Sequence, residues 1–391
     1  MKTDVVVIGA GASGLMCAAT AGYRGRSVVV LEHTKKIGRK ILMSGGGRCN
    51  FTNLHNTNAN FVSDNPHFCK SALSRYRVSD FIELVERHGV EYHEKTLGQL
   101  FCNGSSKEIL QVLLTECDWA GVDIKTEAQV ATIEKKGDRF LITSSIGKIE
   151  AESVVIATGG LSIPNGGATS FAYDIAKQYG LTVLPTTAAL VPVTLQKELL
   201  EVLKPLAGVS HPVEVSVGET TFRESMLFTH RGLSGPAILQ ISSYWTPNAY
   251  LEINFFPDED LYAWLKAQRE ERPKSDISTV FAQRMSRRMA QILCELFDFS
   301  GPLAEHSNEQ LATIANAFTC WQVKPSGTEG YRTAEVTLGG ISTDEISQKT
   351  MEAKAVEGLY FIGECLDVTG HLGGHNFQWA WASGFVAGQA V

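Results

Sequence analysis

Gly9, Gly11 and Gly14 in "VIGAGASG" leave a stretch of backbone nearly bare of side chains between an apolar run and a helical pattern. Glycines at this spacing permit a tight turn, let backbone amides approach a pyrophosphate, and let a helix pack closely on a strand. Glu32 ends the next apolar run, where an acid can accept both hydroxyls of an adenosine ribose and disfavours a 2'-phosphate. Ser13 lies inside the same turn. This set of residues is suited to holding a dinucleotide with its phosphates at a helix N-terminus; it does not decide between FAD and NAD.

Four further stretches carry residues able to do chemistry. In "GRKILMSGGGRCNFTN" (38–53), Lys40 and Arg48 offer cations to phosphate or substrate and Ser44 offers a hydroxyl. Gly45, Gly46 and Gly47 offer backbone on which a flat ring can lie, because any Cβ would push that ring away. Cys49 is a nucleophile candidate, or a small packing residue. "SVVIATGG" is a buried strand whose end, Ala157-Thr158-Gly159, again suits close approach of a ligand. In "MLFTHRGLSGPAIL", His230 is an acid/base candidate or a hydrogen-bonded structural histidine, and Ser234 fits a helix N-cap with Pro236 just inside. The last stretch, "FIGECLDVTGHLGGHNFQW", holds Gly363, Glu364, Gly374, Asn376, Phe377 and Gln378. His371 and His375 in it are separated by Gly-Gly, which argues for a loop without helix register, so no metal site is expected.

These residues need elements to position them. The periodicity predicts a strand over Val5–Ile8, a helix over Ser13–Arg24 and a strand over Val28–Leu31. It predicts two helices between Phe68 and Gly89, a strand pair in "VEYHEKTLGQLFC", and a helix from a Ser105/Ser106 cap to Gly121. Short strands with hairpin turns lead into "SVVIATGG", and a helix starts at Thr169. From about Val191 the chain turns to short β-rich runs and then a basic helical stretch, Ile277–Phe297, whose Arg284, Arg287 and Arg288 read as a solvated face. A strand over Leu359–Ile362 and a closing helix from about Asn376 return to the first pattern.

Composition bounds the function. With 391 residues, 44% hydrophobic and 20% charged, the chain can bury more than one ordinary core and is not disordered. A formal net charge of -7 gives no basic footprint, so small-molecule substrates are expected and no nucleic acid partner. Eight cysteines without a CxxC pair signal neither zinc nor a dithiol, and fit reduced thiols. No leader and no bilayer-length apolar run is evident, so a cytoplasmic protein that does not engage a membrane is expected. Oligomeric state is open.

"GRKILMSGGGRCNFTN" at its distance from "GAGASG", with "FTHRGLSGPAIL" and the C-terminal motif, resembles the aminoacetone oxidase-like family of FAD-binding flavoproteins, similar to the glutathione reductase two-dinucleotide superfamily. The resemblance implies FAD as cofactor. It implies an α/β fold: a Rossmann-like FAD-binding domain with a parallel sheet, in two parts (1–190 and 336–391), split by a β-rich inserted domain with a small helical part (191–335). It implies that the Val130 backbone and Ala157–Gly159 lie at the adenine side, that Glu364 takes the ribitol hydroxyls, and that Gly373, Gly374, Asn376, Phe377 and Gln378 surround the isoalloxazine ring. The superfamily's redox disulfide is missing, since Leu54 stands five positions after Cys49. No second nucleotide unit is evident.

The expected activity is an FAD-dependent oxidoreductase, reduced by NAD(P)H or by its substrate, that passes electrons to an enone-like acceptor or to oxygen. A small-amine oxidase is the alternative. Service in RNA modification, against which the net charge counts, and redox sensing without turnover are the remaining readings.

Overall fold

A computed structural model describes residues 1–391 and divides into two compact units, one built from 1–187 and 336–391, the other from 188–335.

The first unit is organised by a seven-stranded sheet. Strand β1 (Lys2–Ile8) runs at its centre, helix α1 (Ala12–Tyr23) follows, and strand β2 (Val28–Leu31) returns parallel to β1. Val5, Val6, Val7 and Ile8 are all buried, as expected of a parallel strand covered on both faces. Asp123–Lys125 extends the sheet beyond β2. On the other side of β1 lies the long strand Gly147–Ile156, which changes partner along its length. Its first half pairs antiparallel with Arg139–Ser144, and its last three residues pair parallel with Leu359–Phe361.

Leu359–Phe361 and the closing helix His375–Gly388 thus complete a domain begun at the N-terminus. That helix packs against α1 through small residues. A Cβ on Gly384 would stand 2.5 Å from the Ser13 carbonyl oxygen, and one on Gly388 2.7 Å from that of Cys17. It also carries Trp379 and Trp381, both fully buried, with indole N–H groups donating to the carbonyls of Gly363 (3.0 Å) and Phe51 (2.8 Å). A small three-stranded sheet, in which Gln99–Cys102 pairs with Asn50–Asn53 and with Tyr92–Glu94, follows the glycine loop. The two helices predicted between Phe68 and Gly89 span Cys69–Arg75 and Val78–Arg87.

The second unit has its own core under a seven-stranded antiparallel sheet. The hairpin of Ser210–Val217 and Thr220–Phe228 forms its middle. Helices Leu261–Glu271, Ile277–Phe281, Arg287–Leu296 and Asn308–Thr319 pack with it. The stretch 277–297 is two helices rather than one: the first ends at Phe281, and Ser286 restarts the second by accepting the Met289 N–H at 3.3 Å.

Candidate functional site

The first turn of α1 is built to meet an anion. Gly11 is its N-cap, no side chain caps the helix, and no acid stands in the first turn. Gly9 and Gly14 are fixed by packing: a Cβ on Gly9 would lie 2.5 Å from the Ala157 carbonyl oxygen, and one on Gly14 only 2.0 Å from that of Gly9. Gly11 differs, because a Cβ there meets no protein atom within 4 Å. The space over Gly11 is therefore open while the space under its neighbours is full.

Glu32 is nearly buried and held from three sides. Its Oε2 accepts the Ala10 N–H at 3.0 Å, and its Oε1 accepts both the backbone N–H and the hydroxyl of Thr34 at 2.8 Å. Oε2 keeps a lone pair for a further donor. Val130 opens the strand Val130–Lys136 that ends this sheet. Across β1, Ala157 and Thr158 follow the long strand. The Thr158 hydroxyl is buried without a hydrogen-bond partner, and Gly159 (φ 72°) leaves open space around its Cα.

The three glycines of the loop are not equivalent. Gly45, Gly46 and Gly47 have φ of 56°, 66° and 87°, a left-handed run that L-residues resist. At Gly45 a Cβ would collide with Phe101 at 2.8 Å and the Asn50 N at 2.9 Å, so that position faces protein, whereas Gly46 and Gly47 face open space. Arg48 is exposed at the end of the turn. Ser44 donates to the Ile41 carbonyl at 2.8 Å.

Lys40 and Glu364 meet. The Lys40 ammonium donates to Glu364 Oε2 at 2.5 Å and to Ser162 Oγ at 2.6 Å; Ser162 Oγ donates to Glu364 Oε1 at 2.8 Å, and the Thr337 N–H reaches the same oxygen at 3.0 Å. Gly363 (φ 71°) lies against Ser13, whose Oγ would be 2.6 Å from an added Cβ. Neither Ser162 nor Thr337 stands out in the sequence, because a hydroxyl near a glycine loop carries no periodicity of its own.

The "GHLGGHN" loop ends in Gly374 (φ 97°), N-cap of the closing helix, which has no acid in its first turn. The loop is tied down from the N-terminal side. Asn53 Nδ2 donates to the Gly373 carbonyl at 2.9 Å, and His375 Nδ1 lies 2.8 Å from Asn56 Oδ1. The density of Asn and Thr in "NFTNLHNTNAN" was the signal available for these ties. Burial pushes His375 down to about 3, helped by His371 and His55, and pushes His371 down to about 4. Both imidazoles are neutral at pH 7.

Three expectations change. Cys49 is fully buried, its thiol pushed up to about 12 by burial and turned toward Ser44, so it is a packing residue rather than a nucleophile or adduct partner. Gln378 is also fully buried; Thr52 Oγ1 donates to its Oε1 at 2.7 Å and its Nε2 donates to the Tyr76 carbonyl at 3.0 Å, which leaves no side-chain group for a ring. Asn376 spends its amide on the loop, accepting from the Gly370 N–H and donating to the Gly370 carbonyl, both at 2.8 Å. Phe377 is half-buried and stacks on Trp381 at 5.4 Å.

In the second unit, His230 is exposed on the turn before Gly232–Ser234. Thr229 Oγ1 fixes that turn by accepting the N–H groups of Arg231 (3.2 Å) and Gly232 (3.1 Å). Ser234 is not the expected N-cap: it pairs with Leu227 in the sheet, and Gly235 caps a helix of only six residues.

A cleft of about 690 Å³ also opens in the first unit, lined by Tyr23, Arg24, Arg87, Glu116 and Trp119. It opens along the C-terminal half of α1, from Met16 to Arg24, away from Gly11. It is not the nucleotide end.

The comparisons with known proteins agree with the geometry on the cofactor. A ribosomal RNA dihydrouridine synthase of Escherichia coli is 50% identical over 394 residues, covering 99% of this chain and 98% of that one. One of Haemophilus influenzae is 45% identical over 395 residues, covering 100% and 98%. A 3-dehydro-bile acid delta(4,6)-reductase of Clostridium scindens is 28% identical over 406 residues, 98% of each. Among solved structures, an E. coli quinol fumarate reductase chain has a TM-score of 0.50 at 15% identity, covering 100% of this chain and 70% of that one, and supports the fold. A 3-ketosteroid-delta4-(5alpha)-dehydrogenase of Rhodococcus jostii also scores 0.50, at 14% identity, covering 99% and 97%.

FAD suits the residues present. The uncapped amides of α1, the open space over Gly11, Gly46 and Gly159, and the buried, unpartnered Thr158 hydroxyl are features that a bound dinucleotide would use. No helix is long and apolar enough to cross a membrane. The expectation that nucleic acid is no partner is overturned, since relatives sharing about half of their residues with this chain are named for an RNA substrate. Net charge misled because it sums the whole surface and leaves any one face free to be basic. With the HI0933-like protein Rossmann domain matched over residues 3–390, the chain belongs to that family and is an FAD-dependent oxidoreductase.

Proposed function

We propose that the chain is a ribosomal RNA dihydrouridine synthase, which reduces the C5=C6 bond of a uridine in ribosomal RNA. The observation that carries this is the identity, 50% and 45% over nearly the full length, with two relatives so named. The chemistry is consistent with the more distant bile acid reductase. In both names the bond reduced is a carbon–carbon double bond conjugated to a carbonyl, in uracil the one at C4. Hydride adds to the carbon remote from the carbonyl, C6, and a proton to C5.

Bound FAD supplies the two-electron step. Glu32 would hold the adenosine ribose, the α1 amides the pyrophosphate, and Glu364, fixed by Lys40 and Ser162, the ribitol. The closing helix would place its positive end, bearing the neutral His375, toward the flavin pyrimidine. His230, exposed on a fixed turn, is our assignment for the proton donor, and NAD(P)H for the electron donor. A uridine must leave its stack for both faces of C5=C6 to be reached.

The test is ribosomal RNA from cells lacking the enzyme, incubated anaerobically with the purified yellow protein and NADH or NADPH. Nucleoside mass spectrometry should then show dihydrouridine, heavier than uridine by two hydrogens. Absence of the product with either nucleotide, alongside reduction of a steroid enone, would refute the RNA assignment in favour of a small-molecule reductase.

A further inference from the structure

Between Asp276 and Glu295 the chain carries three arginines and no acid, although overall its 42 acids outnumber its 35 lysines and arginines. The structure places the three on one corner of the second unit. Arg284 lies in the connection after helix Ile277–Phe281, and Arg287 and Arg288 form the first turn of helix Arg287–Leu296. All three are exposed, while the intervening Met285 and Met289 are buried in the core.

Helix stability does not account for them. The first turn is the positive end of the helix dipole, where cations are disfavoured. Neither Arg287 nor Arg288 makes an ion pair or hydrogen bond within the chain that would compensate. Arg284 is held differently: its guanidinium lies 5.5 Å from the ring centre of Trp264, and its Nε lies 3.5 Å from Glu259 Oε2. Trp264 is half-buried and packs on Phe281 at 5.9 Å. The corner therefore combines two unpaired guanidinium groups with a third laid over an aromatic ring. Arginines fit phosphate oxygens in a planar fork, and an aromatic ring beside them offers a face for a base.

Resting on the reading of the chain as a ribosomal RNA dihydrouridine synthase, we propose that the Arg284–Arg287–Arg288 corner docks the phosphate backbone of the RNA substrate. Affinity for RNA comes largely from phosphates neutralised by Lys and Arg. On a chain of net charge -7 such contacts cannot be spread evenly, so a confined basic corner both attracts the RNA and orients it.

The experiment compares wild type with Arg287→Gln/Arg288→Gln and, separately, Arg284→Gln, using ribosomal RNA from cells lacking the enzyme. Glutamine keeps most of the side-chain stem, and an unchanged melting temperature and flavin spectrum show that each variant folds. Losing two contacts to single-stranded RNA should flatten the dependence of log K on log salt by about 1.4, or about 1.8 for a duplex. Affinity at 0.1 M salt should fall roughly 25- to 60-fold, with KM for RNA rising in step and kcat unchanged. Arg287→Lys/Arg288→Lys should restore most of the affinity, because lysine also neutralises a phosphate. Lys136→Gln/Lys148→Gln, on exposed residues of the first unit, should leave the slope alone. An unchanged slope and KM in both arginine variants, with wild type forming dihydrouridine, overturns the docking proposal and leaves the function intact. Wild type forming no dihydrouridine removes the function first, and the docking proposal with it.

Discussion

Lys40 and Glu364 stand 324 residues apart in the chain and 2.5 Å apart in the fold, a charge pair that joins the glycine loop after β2 to the turn before the closing helix. The carboxylate also accepts from Ser162 and from the Thr337 N–H, so it is aimed by three donors before any ligand arrives. Lys40→Met should leave Glu364 with two of them and weaken FAD binding by about ten-fold, the scale of one charge-assisted hydrogen bond. Dissociation of FAD followed by flavin fluorescence measures this, and unaltered affinity would show that Glu364 does not need the lysine.

Gly11 and Gly14 should fail in opposite ways. Gly14→Ala places a methyl group 2.0 Å from the Gly9 carbonyl oxygen, so the fold itself should lose ~2–3 kcal/mol. Gly11→Ala meets no protein atom within 4 Å, so the apoprotein should melt where wild type does while FAD binding is lost. Melting temperatures of the two apoproteins, with flavin content after reconstitution, distinguish the cases.

Cys49→Ala should keep turnover within about two-fold and lose about 1 kcal/mol of stability, as for a small buried group removed from a core. Iodoacetamide should leave the native thiol unmodified at pH 8, because burial pushes it up to about 12. A turnover loss of a hundred-fold or more would return this cysteine to the chemistry.

Stability should fall at both ends of the pH scale. Burial lowers His371 to about 4 and His375 to about 3, from 6.5 when unfolded. Their contribution is therefore present above pH 6.5 and is lost as pH falls toward those values, at about 1.4 kcal/mol per pH unit for each. At the alkaline end, Cys49, Cys102, Cys117, Cys294 and Cys365 are each raised by burial from 9.0 to about 12. Their contribution is complete below pH 9 and is lost as pH rises from 9 toward 12. Urea midpoints at pH 7, 6 and 5 should show a shallower decline for His375→Gln than for wild type.

The nucleotide unit was legible because its constraints are local. Gly9, Gly11, Gly14 and Glu32 lie within one strand–helix–strand unit, and inside it Gly14 packs on the Gly9 carbonyl while Glu32 accepts from Ala10 and Thr34. Gln378, and the nucleophile reading of Cys49, go the other way for a related reason. Their neighbours in the chain are glycines and aromatics of a binding loop, but their side chains turn inward to Ser44, Thr52 and Tyr76, and direction is not written in spacing. Ser234 misled because a strand pair with Leu227 outweighed its preference as a cap. The expectation of no nucleic acid partner went wrong because net charge is a sum and says nothing of any one face.

The split of the first unit sets an order of events during synthesis. Val154–Ile156, paired with β1 on one side, cannot acquire its second parallel neighbour, nor α1 its covering helix, until residues 359–388 have left the ribosome. By then 188–335 has emerged with its own core and can already be folded. The dinucleotide cradle is thus finished last, and a chain interrupted anywhere before that point is left with an exposed sheet edge and no competence to retain a flavin.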